Sequence, residues 1–465
     1  MSRAGRILLP GIAVLLAAGC AVGPNYKRPY VVTATAYKEI DGWKPSEPAD
    51  ILSRGRWWRI FDDPVLDDLE NEIDISNQNI RAAADAADEA RALVREAESS
   101  FWPSVSLDAG LAHTVTDGAP SVNIKTLGGS LNWTLDPWGS IRRTVESAQA
   151  SAQAQAAALA EARLTAHADL ATDYFELRAQ DQLVRLLSAI VTDDETNLKL
   201  TQAQYRAGTG YKANILSAET VLLSAQATQV NAGISRATLE HAIAVLLGKP
   251  PATFFLRAAG LASVVPTVPP GVPSTLLERR PDIAEAERTV AAANAQIGVA
   301  ISAFFPSLTL TGSDTYEGLT LGKLIRASHQ IWSLGPTLAE TLFEGGLRRA
   351  QVAQARASYR EDVDNYRQTV LSGFQQVEDE LATIRILQRQ DKLEQADVKD
   401  SIEAESLTVN QYKAGTVPYS SVITAQETRL SAEESALSVQ EQRFTASVAL
   451  IQALGGGWTA SDLGK

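Results

Sequence analysis

Gln204-Tyr205-Arg206-Ala207-Gly208-Thr209 returns further along the chain as Gln411-Tyr412-Lys413-Ala414-Gly415-Thr416. Each copy closes a proline-free stretch, 68 residues from Gly139 to Arg206 and 69 from Gly345 to Lys413. The correspondence extends outward on both sides. Phe101-Trp102-Pro103-Ser104 answers to Phe304-Phe305-Pro306-Ser307, Gly139 with Arg142 and Arg143 to Gly345 with Arg348 and Arg349, and Leu247-Gly248 to Leu454-Gly455. Paired positions lie 203 to 207 residues apart. Solenoid repeats run to about 20–50 residues, so this period marks a duplicated half whose copies take equivalent places in a symmetric assembly.

Helix material fills the long stretches. Alanine occupies 12 of the 26 positions from 147 to 172, and aromatic residues make up only 6% of the chain, which favours thin helical layers over a thick core. At about 1.5 Å per residue, a continuous helix of this length extends on the order of 100 Å. Val145, Ala148, Ala152, Leu159, Ala166 and Leu170 carry heptad-like apolar spacing, so such a helix needs partners along its length. After the glycine turn, residues 212–247 supply a return helix half as long, and residues 276–303 supply the other half. In the second copy, residues 419–454 form the lower return and the N-terminal helix 65–100 the upper.

Ahead of each long helix the period changes to two. Val105, Leu107, Ala109 and Leu111 alternate with small or polar residues, as do Leu127, Gly129, Leu131, Trp133 and Leu135; Leu308, Leu310 and Gly312 rise and Trp332, Leu334, Pro336 and Leu338 return in the second copy. One apolar face is the mark of a strand with a lipid-facing side. Four strands close no barrel, for which about eight is the minimum, and open edges in lipid leave backbone groups unpaired. Oligomerisation is required; three copies give twelve strands.

Arg3 and Arg6 precede the apolar run Ile7–Leu16, too short to span a bilayer and suited to a signal peptide. Leu16-Ala17-Ala18-Gly19-Cys20 resembles a bacterial lipobox, with Cys20, the only cysteine, as the lipidated residue and Ala21 after it. Without residues 1–19 the chain carries 40 Lys+Arg against 55 Asp+Glu, a formal charge of −15 that disfavours nucleic acid. It also lacks the methionine and free cysteine expected of a soft-metal conduit.

Cys20 with Gly23-Pro24-Asn25-Tyr26-Lys27-Arg28-Pro29, Trp57-Trp58, Phe61, the two Phe-x-Pro-Ser segments and Leu277-Glu278-Arg279-Arg280-Pro281-Asp282-Ile283 together resemble the outer-membrane factor lipoproteins of tripartite efflux systems, the TolC-like family and its NodT branch. The resemblance covers essentially the whole mature chain. It implies an α+β membrane channel: a homotrimer whose 12-stranded β-barrel crosses the outer membrane and continues as a long periplasmic α-helical barrel. Its partners would be a periplasmic adaptor, an inner-membrane RND-type pump and outer-membrane lipid, with no cofactor beyond the lipid on Cys20. Residues 1–19 are then the signal peptide, 20–64 the acylated extended segment, 65–258 and 276–457 the structural repeats, 259–275 a Pro-rich connection and 458–465 the tail. The alternatives are a lipid-anchored periplasmic adaptor or structural hairpin protein, and a type I protein secretion exit duct.

The family places its periplasmic gate at the hairpin tips. By that resemblance Tyr205 with Gly208, and Tyr412 with Gly415, take the constriction or interhelix bonding roles. Where relatives carry a cation-binding aspartate ring, this chain has Ser421 and Thr424, and Asn214 after the first tip. Glu219 and Glu427 are the carboxylates that could form a displaced ring. Nothing points to catalysis: His113 and His329 fall on predicted strands, His167 and His241 in long helices, none at metal-ligand spacing. Glu378-Asp379-Glu380 reads as a solvated helix face.

Overall fold

A computed structural model describes residues 21–34, 36–39, 56–115, 117–118, 120–268 and 276–460. The signal peptide, Cys20 and the end of the Pro-rich connection lie outside the described residues. Among the described residues eight α-helices and four strands follow one another, with short 3-10 turns between some of them: α1 (Pro64–Ser76), α2 (Gln78–Ser99), β1 (Ser104–Thr114), β2 (Val122–Leu135), α3 (Ser140–Arg206), α4 (Lys212–Leu246), α5 (Leu276–Arg279), α6 (Pro281–Ser302), β3 (Ser307–Gly318), β4 (Gln330–Ala339), α7 (Leu347–Lys413) and α8 (Tyr419–Ala453). The two long helices are continuous at 67 residues each. Among the described residues no helix is long and apolar enough to cross a membrane.

The shorter columns break where the alternation of apolar residues gave no warning. At Asn77 the backbone turns extended, and its side-chain carbonyl accepts from the N–H groups of Asn79 (2.9 Å) and Ile80 (3.0 Å), so it ends α1 and caps α2. Its amide donates to the Leu246 carbonyl at 2.8 Å. The single helix expected over 65–100 is therefore two. The one expected over 276–303 divides at Arg280, with Pro281 opening α6.

Two compact units share the chain, each drawing on both repeats. The first comprises residues to Val31, Asp85–Ala157 and Ala284–Thr369; the second comprises Val32–Ala84, Ala158–Ile283 and the residues from Val370 onward.

The first unit contains an antiparallel sheet in the order β1-β2-β3-β4, so β1 and β4 are both open edges. Ser106 pairs with Ser130, Ser130 with Ser313 and Ser313 with Ser333, one serine rung across all four strands. Directly opposed side chains share a face, and that face carries Ser106, Asp108, Asn132, Thr311 and Thr337. The other presents Leu107, Leu111, Trp332, Leu334 and Leu338, all exposed. An apolar exposed face opposite a hydroxyl-rich one is what lipid on one side and water on the other demand. His329 lies in a 3-10 turn (Ala327–His329) just before β4, not on the strand expected for it.

An N-terminal strap is fastened in the same unit. Val22 N–H donates to the Trp138 carbonyl (3.0 Å), and the Arg143 guanidinium donates to the Val22 carbonyl (3.2 Å) and the Asn25 side chain (2.9 Å). Gly23 has φ +95°, and a Cβ there would come within 2.5 Å of the Gly298 Cα, so only glycine permits this approach. The Tyr26 hydroxyl donates to Glu287 further along the strap.

The second unit buries a cluster of large aromatic side chains. Trp57, Trp58, Phe61, Tyr174, Phe175 and Phe444 are buried in one core, with Phe175 stacked on Phe444 and tilted against Phe61, each at 4.7 Å between ring centres. Glu378 is half-buried and accepts from the backbone N–H groups of Lys38 (2.7 Å) and Glu39 (2.9 Å). It is a clamp on the N-terminal segment, not a group on a solvated face, because the turn at Lys38 and Glu39 leaves backbone N–H groups in need of acceptors.

Candidate gate at the hairpin tips

Both α3 and α7 stop on glycine. Gly208 (φ +75°) and Gly415 (φ +74°) adopt the left-handed conformation that closes a helix C-terminus. Gly208 N–H donates to the Tyr205 carbonyl and Thr209 N–H to the Gln204 carbonyl, each at 3.0 Å; Gly415 to Tyr412 and Thr416 to Gln411 repeat both bonds at 3.0 Å. Even the threonine hydroxyls match, bonding the carbonyls of Gln204 (3.1 Å) and Gln411 (2.9 Å). Each chain then runs extended through Tyr211 or Pro418 into the return helix.

Side chains separate the two. Tyr412 is 7% exposed, whereas Tyr205 is 47% exposed. The Tyr412 hydroxyl donates to the Gln204 side chain of the first hairpin at 2.5 Å, and Asn214 lies near the same hydroxyl. Burial lifts the Tyr412 phenol, and the Asn214 side chain partly offsets that. Tyr205 has no side-chain hydrogen bond among the described residues. Tyr419, at the start of α8, packs its ring 5.3 Å from that of Tyr412 in a small cluster with Ala218 and Val422.

The structure thus joins Tyr412, Asn214 and Gln204 in one cross-hairpin tie and leaves Tyr205 outside it. Ser421 lies in the first turn of α8, its N–H donating to the Pro418 carbonyl at 3.1 Å; the Thr424 hydroxyl donates back to the Ser420 carbonyl at 3.1 Å. Both are neutral where an aspartate ring would need charge. Glu219 is half-buried on α4 and Glu427 exposed on α8, with no ion pair at either among the described residues. Among the described residues no three His, Asp or Glu side chains come close enough to hold a metal ion.

Two features above the tips escaped sequence reading. Arg429 on α8 bonds Glu405 of α7 at 2.9 Å and Glu433 at 3.2 Å, and lies 3.5 Å from Asp193 of α3, tying three helices together. Asp194, beside Asp193, is buried without a partner. Its signal was present: Leu187, Ile190, Asp194 and Thr201 share one buried stripe of α3, so a carboxylate stands in an apolar phase. His167, further up α3, is a structural tie. Its ring nitrogens meet Glu70 (2.6 Å) and Asp74 (3.2 Å) of α1, and it stacks on Trp58 at 4.6 Å. Burial opposes charge on the ring, but the bonds to Asp74 and Glu70 outweigh it and push His167 up to about 9.

Comparison with known proteins agrees with this geometry. The family model described as outer membrane efflux protein matches residues 69–249 and 272–456. The chain is 27% identical over 463 residues to the probable efflux pump outer membrane protein TtgC of Pseudomonas putida, covering 97% of this chain and 96% of that one. It is 28% identical over 455 residues to nodulation protein T of Rhizobium leguminosarum bv. trifolii, with 96% of each covered. Among solved structures, the outer-membrane channel OprN superposes with a TM-score of 0.87 at 28% identity, covering 94% of this chain and all of that one. The open state of the Neisseria gonorrhoeae MtrE outer membrane channel gives a TM-score of 0.84 at 26% identity, covering 95% and 99%.

Proposed function

Because the chain belongs to the outer membrane efflux protein family and is an outer-membrane efflux channel, we propose that it works as a homotrimer whose helical tips gate a passive exit duct, met from the inner membrane by a periplasmic adaptor and an RND-type pump. The observation that carries the trimer is the four-stranded sheet with an apolar face and two open edges. In lipid each unpaired edge group costs several kcal/mol, so β4 of one copy must find β1 of the next. A second need for neighbours is written on the helices. Leu216, Leu223 and Val230 on α4, and Ile386, Leu393 and Leu407 on α7, are exposed at heptad spacings, which is a seam without its partner. Two hairpins with strands ahead of each also argue against an adaptor, which needs one hairpin within a β-rich domain.

Internal duplication supplies the register of the joint. Ser104 pairs with Asn132 and Ser307 with Ala339, so Asn132 and Ala339 are equivalent; Asn132 in turn pairs with Thr311, the equivalent of Asp108. Ala339 should therefore face Asp108 of a second copy. Ala339→Cys with Asp108→Cys should give a covalent, heat-resistant trimer on gels under oxidising conditions. Dimers that never close into trimers, or no cross-link in membranes that still carry the protein, would overturn the assembly.

Lipidation of Cys20 is part of the same proposal. Support comes from the strap: Ala21 lies against Gly139, at the junction of β2 and α3, where a Cβ on Gly139 would fall 2.6 Å from the Ala21 Cα. Radiolabelled palmitate should enter the wild type and not Cys20→Ala; equal labelling of both would remove the lipid anchor.

A further inference from the structure

In the seam above the second tip, Asp194 is an unpartnered acid. It is 2% exposed on α3, and neither carboxylate oxygen has a hydrogen-bond partner among the described residues. Three helices contribute its charged and titratable surroundings. Its own α3 brings Asp193, α7 brings Glu405, and α8 brings Tyr419 together with Arg429 and Glu433. The one cation is already committed, since Arg429 bonds Glu405 and Glu433 and approaches Asp193. Gln426 Oε1 and Glu433 Oε2, on the same side of α8, are also buried acceptors without donors.

Buried acceptors thus outnumber donors among these groups. A buried acceptor with no donor has lost its water and gained nothing in return. A proton on Asp194 removes a charge and converts one acceptor into a donor. We propose that Asp194 is the proton-binding residue of a pH-sensitive latch, its neutral form packing α3 against α7 and α8 above the tip and its ionised form loosening them. The latch acts on the gate proposed above and rests on that reading of the tips.

Titration supports the geometry. Burial first, then the negative charges of Asp193 and Glu405, push the Asp194 carboxyl up to about 6 from its ordinary 3.8. The packed seam holds the raised value, and a hydrated, opened seam returns the carboxyl toward the ordinary one. An acid raised in the packed state favours packing fully below pH 3.8, and that preference is lost as pH rises through about 6. About two units of difference set a ceiling on the order of a hundredfold in the packed-to-open ratio per subunit.

The test is single-channel current of the purified full-length protein in planar bilayers with potassium chloride, near pH 5 and near pH 7.5. Wild type should conduct at least about threefold more at the higher pH, within the roughly tenfold per subunit that a carboxyl at about 6 allows between these two pH values. Asp194→Asn, permanently neutral, should stay at the low value at both. Heat-resistant oligomer on gels shows that the variant has folded. If it has not, infrared difference spectra of wild type decide instead, by a protonated carboxyl band with a midpoint near pH 6. A wild type without pH response, a variant that keeps it, or a midpoint near 4 would overturn the latch. Tyr412→Phe separates the latch from the gate: removing its hydroxyl should raise current at both pH values. If Tyr412→Phe changes nothing, the tie at the tip fails, while the pH response of Asp194→Asn still decides the latch.

Discussion

The two hairpin tips have the same backbone and different attachments. Gly208 and Gly415 turn with φ values one degree apart, +75° and +74°, and the glycine and threonine bonds at the two turns repeat, although only the first adds a bond from Gly210 N–H to the Gln204 carbonyl. Yet Tyr412 reaches into the first hairpin and is buried, while Tyr205 stands half in solvent. One step on, the first tip reads Gly210-Tyr211-Lys212 and the second Val417-Pro418-Tyr419. Duplication kept the fold of the turn because glycine, threonine and the helix end dictate it. Flanking side chains were free to diverge, and they did so where movement matters. The second tip is stiffened by proline and held by a buried tyrosine pair; the first has neither.

Unequal tips should be unequally sensitive to restraint. Thr209→Cys or Thr416→Cys, linked between neighbouring copies with a short bismaleimide, pins one tip at a time. Efflux of a fluorescent dye should fall close to zero when the first tip is pinned, and by a clearly smaller factor for the second, which moves less. Equal losses would remove the asymmetry. Truncating the tyrosines gives the next largest contrast. Tyr412→Ala deletes a buried ring, for which about 3–5 kcal/mol is usual, and strands Gln204 and Asn214; the closed tip should give way and channel current rise. Tyr205→Ala should stay within about 0.5 kcal/mol, as for other exposed sites. A comparable rise from both would mean that the Tyr412 tie does not hold the tip closed.

Much of this was legible in the chain. The repeat, the strands, the long helices and the glycine tips follow from periods of 3.6 and 2 and from residues whose backbone preferences are narrow. The break at Asn77 was not, because an asparagine inside a helical pattern is ordinary until its side chain meets the Leu246 carbonyl, 169 residues away in sequence. Tyr205 and Tyr412 looked interchangeable for a related reason: burial depends on which hairpin lies beside each, and a repeat carries no record of its neighbours. Asp194 sat in plain view beside Asp193, but only packing shows which of two adjacent carboxylates points inward.

A third contrast runs along α3, between the tip and the helix body. Asp194 is buried without a partner, whereas His167 is buried between two carboxylates. Their pH effects on stability share a direction but differ in window. His167 is raised from 6.5 to about 9, so its contribution is fully present below pH 6.5 and is lost as pH rises through about 9. A rise from 6.5 to about 9 corresponds to on the order of 3 kcal/mol. The thermal midpoint should fall between pH 7 and 9.5 in wild type, while His167→Gln starts lower and stays flat over that range. A wild-type midpoint that holds constant to pH 9.5 would show that the ring is neutral and the tie unionised.

The smallest expected effect tests charge at the second tip. Thr424 turns its hydroxyl back to the Ser420 carbonyl, and Ser421 adds no charge, so three copies of this tip bring together no carboxylate at these two positions. A divalent cation gains little from neutral hydroxyls, and an exposed carboxylate such as Glu427 is well screened at physiological salt. Millimolar Mg²⁺ should lower the current only modestly, and Glu427→Gln should remove most of that block. Thr424→Asp should install a strong one, because it would bring three like charges to the axis, where a cation relieves their repulsion. Strong block in wild type that survives Glu427→Gln would sink the displaced ring and send the search to Glu219 of the first hairpin, reversing which of the two tips carries the electrostatic gate.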